Sequence, residues 1–175
     1  MSRFLAAVCC VSLLSLPALA QKKAAKGAGM TDQQFVDMAA QIDMVEANLG
    51  QLAQTSAESQ EVKDYAQTLV TDHTSDFQQL HAAAQQAGLT VPDAIDKEHD
   101  KMMIDPFQKL KGAAFDHKYA MEMVAGHTKA LEVYKKEAAD AQNPAIKSYA
   151  GATVPALEKH LTGAKDLEKA KKAAK

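Results

Sequence analysis

Four stretches of the chain place apolar residues at alternating three- and four-residue steps, the spacing of a helix face packed against its neighbours. The first runs through Phe35, Met38, Ile42, Val45, Leu49 and Leu52, and the second through Val62, Ala66, Leu69, His73, Asp76, Leu80, Ala83 and Ala87. The third runs through Ala120, Met123, His127, Ala130, Tyr134 and Ala141, with a polar step at Glu137. The fourth holds Ile146, Ala150, Thr153, Leu157, His160, Ala164 and Leu167. No stretch sustains period-two alternation, so the pattern predicts an all-α fold: a four-helix bundle with one core. In the second, third and fourth seams a histidine stands where leucine is the ordinary choice. Glu46 sits one residue beyond Val45, on the flank of the first seam.

Counting from the expected turns gives the heights of these polar residues. With a first turn near Ala57 to Ser59 and another near Gln142 and Asn143, Glu46 lies about 12 residues before its turn and His73 about 15 after it. His127 lies about 15 before the second turn and His160 about 18 after. At a rise of about 1.5 Å per residue, all four fall within roughly two helical turns of one level.

Between the second and third helices the chain is irregular. Gly88 ends the second helix, a short helix is expected after Val91-Pro92, and Asp105-Pro106 reads as a capped, proline-opened helix start. Gly112 precedes the long third helix. A connection of about 20 residues is long enough to run the length of the bundle, so both a one-crossover topology and a simple up-down bundle fit. The second and third helices are parallel in the first and antiparallel in the second. Val62-Lys63-Asp64-Tyr65-Ala66 is echoed by Ile146-Lys147-Ser148-Tyr149-Ala150 at the start of the second helix of each hairpin, which suggests a duplicated helical hairpin. On that register His160 matches Asp76.

Residues 1–20 read as a secretory leader rather than as part of the fold. Arg3 supplies the positive start, Phe4 to Leu16 the apolar run, and Ala18-Leu19-Ala20 a small-residue cleavage site before Gln21. That apolar run is shorter than the roughly 20 residues of a membrane span, and no later segment is apolar enough to span. The expectation is a periplasmic or secreted protein. Residues 21–30 read as a disordered tether, 31–170 as the bundle domain and 171–175 as a frayed basic tail. Both cysteines, Cys9 and Cys10, lie in the leader, which leaves the mature chain neither disulfides nor thiolate ligands. Of 20 basic and 22 acidic side chains only Arg3 is lost with the leader, leaving 19 against 22. Neither that balance nor any interleaving of basic and aromatic residues suggests a nucleic-acid groove. A partner, where the module has one, is expected at the envelope surface.

Neutral imidazoles with a carboxylate suit zinc, copper, iron or nickel, and three histidines with one glutamate can fill a four-coordinate site. The sequence thus offers Glu46, His73, His127 and His160 as candidate ligands of a single transition-metal ion (Zn, Cu or Fe), with Asp72 and Asp76 to hold the rings. Two alternatives stand beside it. The histidines can be neutral core groups hydrogen-bonded to Glu46, Asp72, Tyr65, Tyr119 or Tyr149, fixing the register of the bundle; or the layer can line an organic ligand pocket. A ferritin-type di-iron centre needs Glu-x-x-His on two helices, and the chain has none. It offers only His73-x-x-Asp76 and Glu158-x-His160. His81, His99 and His117 are expected to be solvated, and the methionines, among them Met38, Met121 and Met123, to be flexible core filler. Asp116 lies about 16 Å along its helix from His127 and is expected to cap the helix start and lock the crossover to the bundle end.

Several short motifs occur in order along the chain. Glu46 is followed by Val70-Thr71-Asp72-His73-Thr74, Phe115-Asp116-x-x-Tyr119, Gly126-His127 and Pro155-x-Leu157-x-x-His160-Leu161. Over about residues 30–168 the chain resembles the bacterial ferritin-like family of unknown function numbered 4142. The resemblance implies a ferritin-like four-helix bundle with a long connection between the second and third helices, and an exported bacterial protein; it implies no activity. Two function classes follow. One is a non-catalytic binding or stress-related module of the envelope, acting through the bundle surface or through a metal for which its His/Glu layer is the candidate site. The other is a metal-dependent oxidoreductase with a degenerate, non-ferritin centre.

Overall fold

The computed structural model describes residues 29–173. The expected leader, the tether up to residue 28 and the last two residues of the tail lie outside the described residues. Four long helices dominate: α1 (Asp32–Ser56), α2 (Gln60–Ala87), α5 (Gly112–Asp140) and α6 (Pro144–Ala173). The connection carries α3 (Lys97–His99), a π turn (Asp100–Ile104) and α4 (Asp105–Gln108). No strand occurs among the described residues, and no helix there is long and apolar enough to cross a membrane.

Local chemistry sets the ends of these helices. Thr31 opens α1 with a reciprocal cap: its hydroxyl accepts from the Gln34 amide at 3.2 Å while the Gln34 side chain accepts from the Thr31 amide at 3.0 Å. Ser59 caps α2 through the Val62 amide. Gly88 closes α2 in the left-handed region, at φ 69°, where a side chain would be strained.

Two aspartates fix the topology. Asp116, near the start of α5, accepts from the backbone amides of Glu58 and Ser59 in the α1–α2 turn, both at 3.0 Å. Asp32, at the start of α1, accepts from Gln142 and Asn143 in the α5–α6 turn at 3.0 and 2.8 Å. The start of α5 therefore lies at the α1–α2 turn, and the start of α1 at the α5–α6 turn. It follows that α2 and α5 run parallel, and the connection travels the length of the bundle to join them. Of the two topologies that the sequence leaves open, the one-crossover arrangement is the one formed. Asp116 does not cap its own helix as the sequence suggested. It reaches across the bundle end to the open amides of the neighbouring turn.

The same 84-residue offset relates Asp32 to Asp116, Glu58 to Gln142, and Tyr65 to Tyr149. Each hairpin clamps the turn of the other with an equivalent aspartate, so the sequence echo has a three-dimensional counterpart.

α2 packs against α1 and α6, α5 packs against α6, and α5 meets α1 more lightly. The seams predicted for α2, α5 and α6 are the faces that point inward. α1 differs. Phe35, Val45 and Leu49 are buried as expected, but Met38, Ile42 and Leu52 are only half-buried, while Val36, Ala39, Asp43, Glu46, Gly50 and Ala53 turn to the core. The cause is a second packing partner. The connection runs along α1, held by Gln33 to both backbone groups of Thr90, and by Gln41 to the Ala94 carbonyl and the Asp96 amide. A helix covered on two sides spends its larger apolar residues on both. Small residues then let α1 approach α2: a Cβ on Gly50 would stand 2.6 Å from Val70 Cγ2 and 2.8 Å from the Ala66 carbonyl oxygen.

Asp105-Pro106 also departs from expectation. Lys97 to Gln108 forms one helical path through the π turn, so the pair continues a helix rather than opening a capped one.

The core falls into two apolar clusters. One, around Leu49, Leu69, Phe107, Phe115, Tyr119 and Leu167, fills the end with the α1–α2 turn. The other, around Phe35, Leu80, Tyr134, Ile146, Tyr149 and Leu157, fills the opposite end. Asp43, Glu46, His73, His127 and His160 belong to neither cluster, and they are buried between them.

Candidate metal centre

Three helices each deliver one imidazole to this layer: His73 from α2, His127 from α5 and His160 from α6. Their ring centroids stand 5.9 Å (His73–His127), 5.4 Å (His73–His160) and 5.3 Å (His127–His160) apart, a nearly equilateral triangle. All three are at most 3% exposed. One nitrogen from each ring lies within 4.8 Å of the others.

Every ring has one nitrogen committed and one without a partner. His73 Nδ1–H donates to Asp43 Oδ1 at 2.8 Å, His127 Nδ1–H to the Met123 carbonyl at 2.9 Å, and His160 Nε2–H to Asp72 Oδ2 at 2.8 Å. A carbonyl can only accept, which fixes the His127 tautomer; the carboxylates favour the corresponding choice for the other two. His73 Nε2, His127 Nε2 and His160 Nδ1 are left buried with no hydrogen-bond partner.

The electrostatics keep these rings neutral. Burial pushes the His127 pKa down to about 3, helped by His73 and opposed by the Met123 carbonyl. Burial also lowers His73 and His160, although Glu46 and Asp76 pull the first upward and Asp72 the second. A neutral imidazole keeps its lone pair, which a metal needs.

The donor set fits an ion of the zinc or copper class. Nitrogens bound at about 2.0–2.1 Å in a tetrahedral shell stand about 3.3 Å from one another. The rings therefore need to draw inward by roughly an ångström. Carboxylates and a carbonyl on the far nitrogens of such histidines are the usual means of aiming them. The three histidines could hold a metal ion.

The other predicted residues take different places. Glu46 is buried beside the triad with Oε2 unpartnered, but it is not a member of the 4.8 Å group. It leans toward α5, where its Oε1 would lie 3.6 Å from a Cβ on Gly126. Burial pushes its carboxyl up to about 7, with His73 lowering it and Asp43 raising it. Asp72 accepts from the His160 ring. Asp76 does not hold a histidine: it faces the hydroxyls of Tyr149 and Thr153, from which it accepts at 2.6 and 3.0 Å. One turn beyond His73, it sits at their level of α6.

Sequence reasoning missed Asp43, the partner of His73. Its signal was present, since Asp43 follows the seam residue Ile42 just as Glu46 follows Val45. Desolvation, then the Asp76 charge, raises its pKa well above the ordinary carboxylate range. Of the remaining histidines, His81 is exposed against the Phe77 ring, His117 is half-buried, and His99 is half-buried and bonded to Asp96. Met123 is buried in the core, as core filler should be, but Met102 and Met121 are exposed.

Among the described residues, cavities reach the layer from three sides. An apolar one of about 210 Å³ between α1, α5 and the connection ends on Glu46 and His127. A polar cleft of about 240 Å³ between α2 and α6 ends on His73 and His160. A third, of about 360 Å³ between α1 and α2, ends on Asp43 and His73.

A family model described as a domain of unknown function (DUF4142) matches residues 16–167. No curated protein matches the sequence. Among solved structures, the chain is similar to one described as CopM in the Cu(II)-bound form. The TM-score is 0.66 at 18% identity, over 81% of this chain and 98% of that one. It is also similar to CopM in the Ag-bound form obtained by co-crystallization, with a TM-score of 0.64 at 18% identity, over 81% and 97% of the two chains. At that identity the likeness is one of fold.

Proposed function

The chain belongs to the DUF4142 family, whose function is unknown, and from that premise we propose that it is a non-catalytic, metal-binding module of the bacterial envelope. One transition-metal ion is held by His73 Nε2, His127 Nε2 and His160 Nδ1, with Glu46 as a fourth donor from α1. The observation that carries this reading is three buried imidazoles that bring one nitrogen each within 4.8 Å of the others, each ring keeping one buried nitrogen without a partner. Each buried, unsatisfied polar atom costs about 1–3 kcal/mol. A network serving only to fix the register of the bundle would give each of these lone pairs a donor, such as a protonated Glu46 carboxyl.

Copper is the ion we favour. Nitrogen donors without thiolates bind divalent copper more strongly than its first-row neighbours. The solved structures of similar fold were obtained with Cu(II) and with silver. Export rests on the leader read from the sequence; mass spectrometry of the exported chain should find Gln21 first, and a retained leader would overturn the envelope assignment.

The metal reading is tested by calorimetry of chelator-treated protein with Cu(II), Zn(II) and Fe(II). One equivalent should bind and raise the melting temperature, since an ion held only by the folded state stabilises it. His73→Ala, His127→Ala and His160→Ala should each lower occupancy and abolish that rise. Stoichiometric binding of none of the three ions would retire the proposal.

The apolar cavity ending on His127 and Glu46 favours one second reading, a metal-dependent oxidoreductase that admits a small apolar substrate. Metal-dependent turnover that a bulky residue in this cavity abolishes, with metal occupancy unchanged, would select it.

A further inference from the structure

We propose that the ion enters and leaves through the cleft between α2 and α6, with Asp72 as its first protein ligand. This inference rests on the metal-site reading and names the route that serves it. Of the three cavities, only this cleft touches two of the three histidines. His73 and His160 form its floor, and their partnerless nitrogens, Nε2 and Nδ1, are both buried.

The walls suit an ion that must lose its water. Ser75, Asp76, Gln79 and Thr153 line the cleft with oxygen atoms, and the small side chains of Ala152 and Ala156 leave it open. A hydrated cation is costly to desolvate unless protein oxygens replace its water step by step. The Asp72 side chain is 38% exposed while its carboxylate bonds the buried His160 ring, so one residue spans solvent and site. Each of the other two cavities serves less well. The apolar one would strip an ion of water against Met38, Ile42, Val45 and Val133 before it met Glu46 and His127. The α1–α2 cavity reaches only His73, on the side where Asp43 already occupies Nδ1. Lys159 stands at the rim of the α2–α6 cleft as an opposing charge, which makes the field at the entrance adjustable.

The test is stopped-flow mixing of metal-free protein with Cu(II), read by quenching of tyrosine fluorescence; the chain has four tyrosines and no tryptophan. Release is timed by mixing the loaded protein with a chelator. Ala156→Phe, or Ala152→Phe at an exposed position should the first fail to fold, is expected to slow uptake and release together by about tenfold or more. Equilibrium affinity should stay nearly constant, because a blocked path changes both rates and neither end state. Val133→Phe in the apolar cavity should leave both rates alone. At low salt, Lys159→Glu should speed uptake about threefold and Ser75→Lys slow it by a similar factor, and both effects should vanish at high salt. Unchanged rates in the plugged cleft, or slowing by Val133→Phe instead, would overturn the route while leaving the site intact. Rim charges without opposite, salt-sensitive effects would overturn it as well. Failure of the wild-type chain to bind copper, zinc or iron would remove the site and the route together.

Discussion

Replacing Glu46 by Gln tests the electrostatics of the polar layer in the metal-free protein. Burial raises the Glu46 carboxyl from 4.5 to about 7. A carboxyl raised in the folded state supports folding below its unfolded pKa and loses that support as the pH climbs through its folded pKa. At about 1.4 kcal/mol per pKa unit, the ionised carboxylate costs the folded chain about 3 kcal/mol above pH 8, and almost nothing at pH 4. Gln fills the same volume without a charge, but its amide inherits the same sparse polar surroundings, which offsets part of the gain. Glu46→Gln should therefore raise the unfolding free energy by about 2 kcal/mol near pH 8.5, with the gain shrinking to near zero at about pH 4. His127, lowered to about 3, works in the opposite sense. Its contribution is present above the unfolded value of 6.5 and is lost as the pH falls from there toward 3. Glu46 is not among the groups that shift His127, so this contribution drops out of the difference between the two proteins, which retains Glu46 together with its coupling to His73. Urea titrations followed by far-UV circular dichroism, in chelator and at several pH values, measure that difference. A gain that is independent of pH, or greater in acid, would refute the assignment of the cost to a buried charge.

Three further outcomes follow from the same geometry. Asp43→Asn should weaken metal binding about ten- to hundredfold by loosening the His73 ring, whereas Asp76→Asn, at a residue bonded to Tyr149 and Thr153, should do much less; titration against a competing chelator separates them. Asp116→Ala and Asp32→Ala should each cost about 1–2 kcal/mol in chemical denaturation, and their effects should add because they clamp opposite ends of the bundle. Gly50→Ala should destabilise by about 1–3 kcal/mol through overpacking against Val70 and the Ala66 carbonyl, despite the better helix propensity of alanine. A neutral result in thermal melts would mean that α1 and α2 can separate at no cost.

Periodicity along the chain was enough to give four helices, the inward faces of α2, α5 and α6, and three histidines at one level of the core. Each of those helices meets the core along one stripe, so a single helical period carries the information. The absence of cysteine from the predicted mature chain excludes thiolate donors by composition alone. The face of α1 was not legible, because the connection covers its second side and splits its apolar residues between two partners. Asp43 and Glu46, one turn apart, both flank the predicted seam, and only the packing of α1 shows that both turn to the core. The direction of α5 relative to α2 was equally open, since a long connection fits either topology; it was decided where Asp32 and Asp116 found unsatisfied amides on the opposite hairpin. Which nitrogen of each histidine is free also belongs to the tertiary structure. A ring's tautomer is set by the acceptor beside it, and for His73 and His160 that acceptor sits on another helix, Asp43 on α1 and Asp72 on α2. Periodicity brings the rings to one layer, and contacts between helices aim their lone pairs.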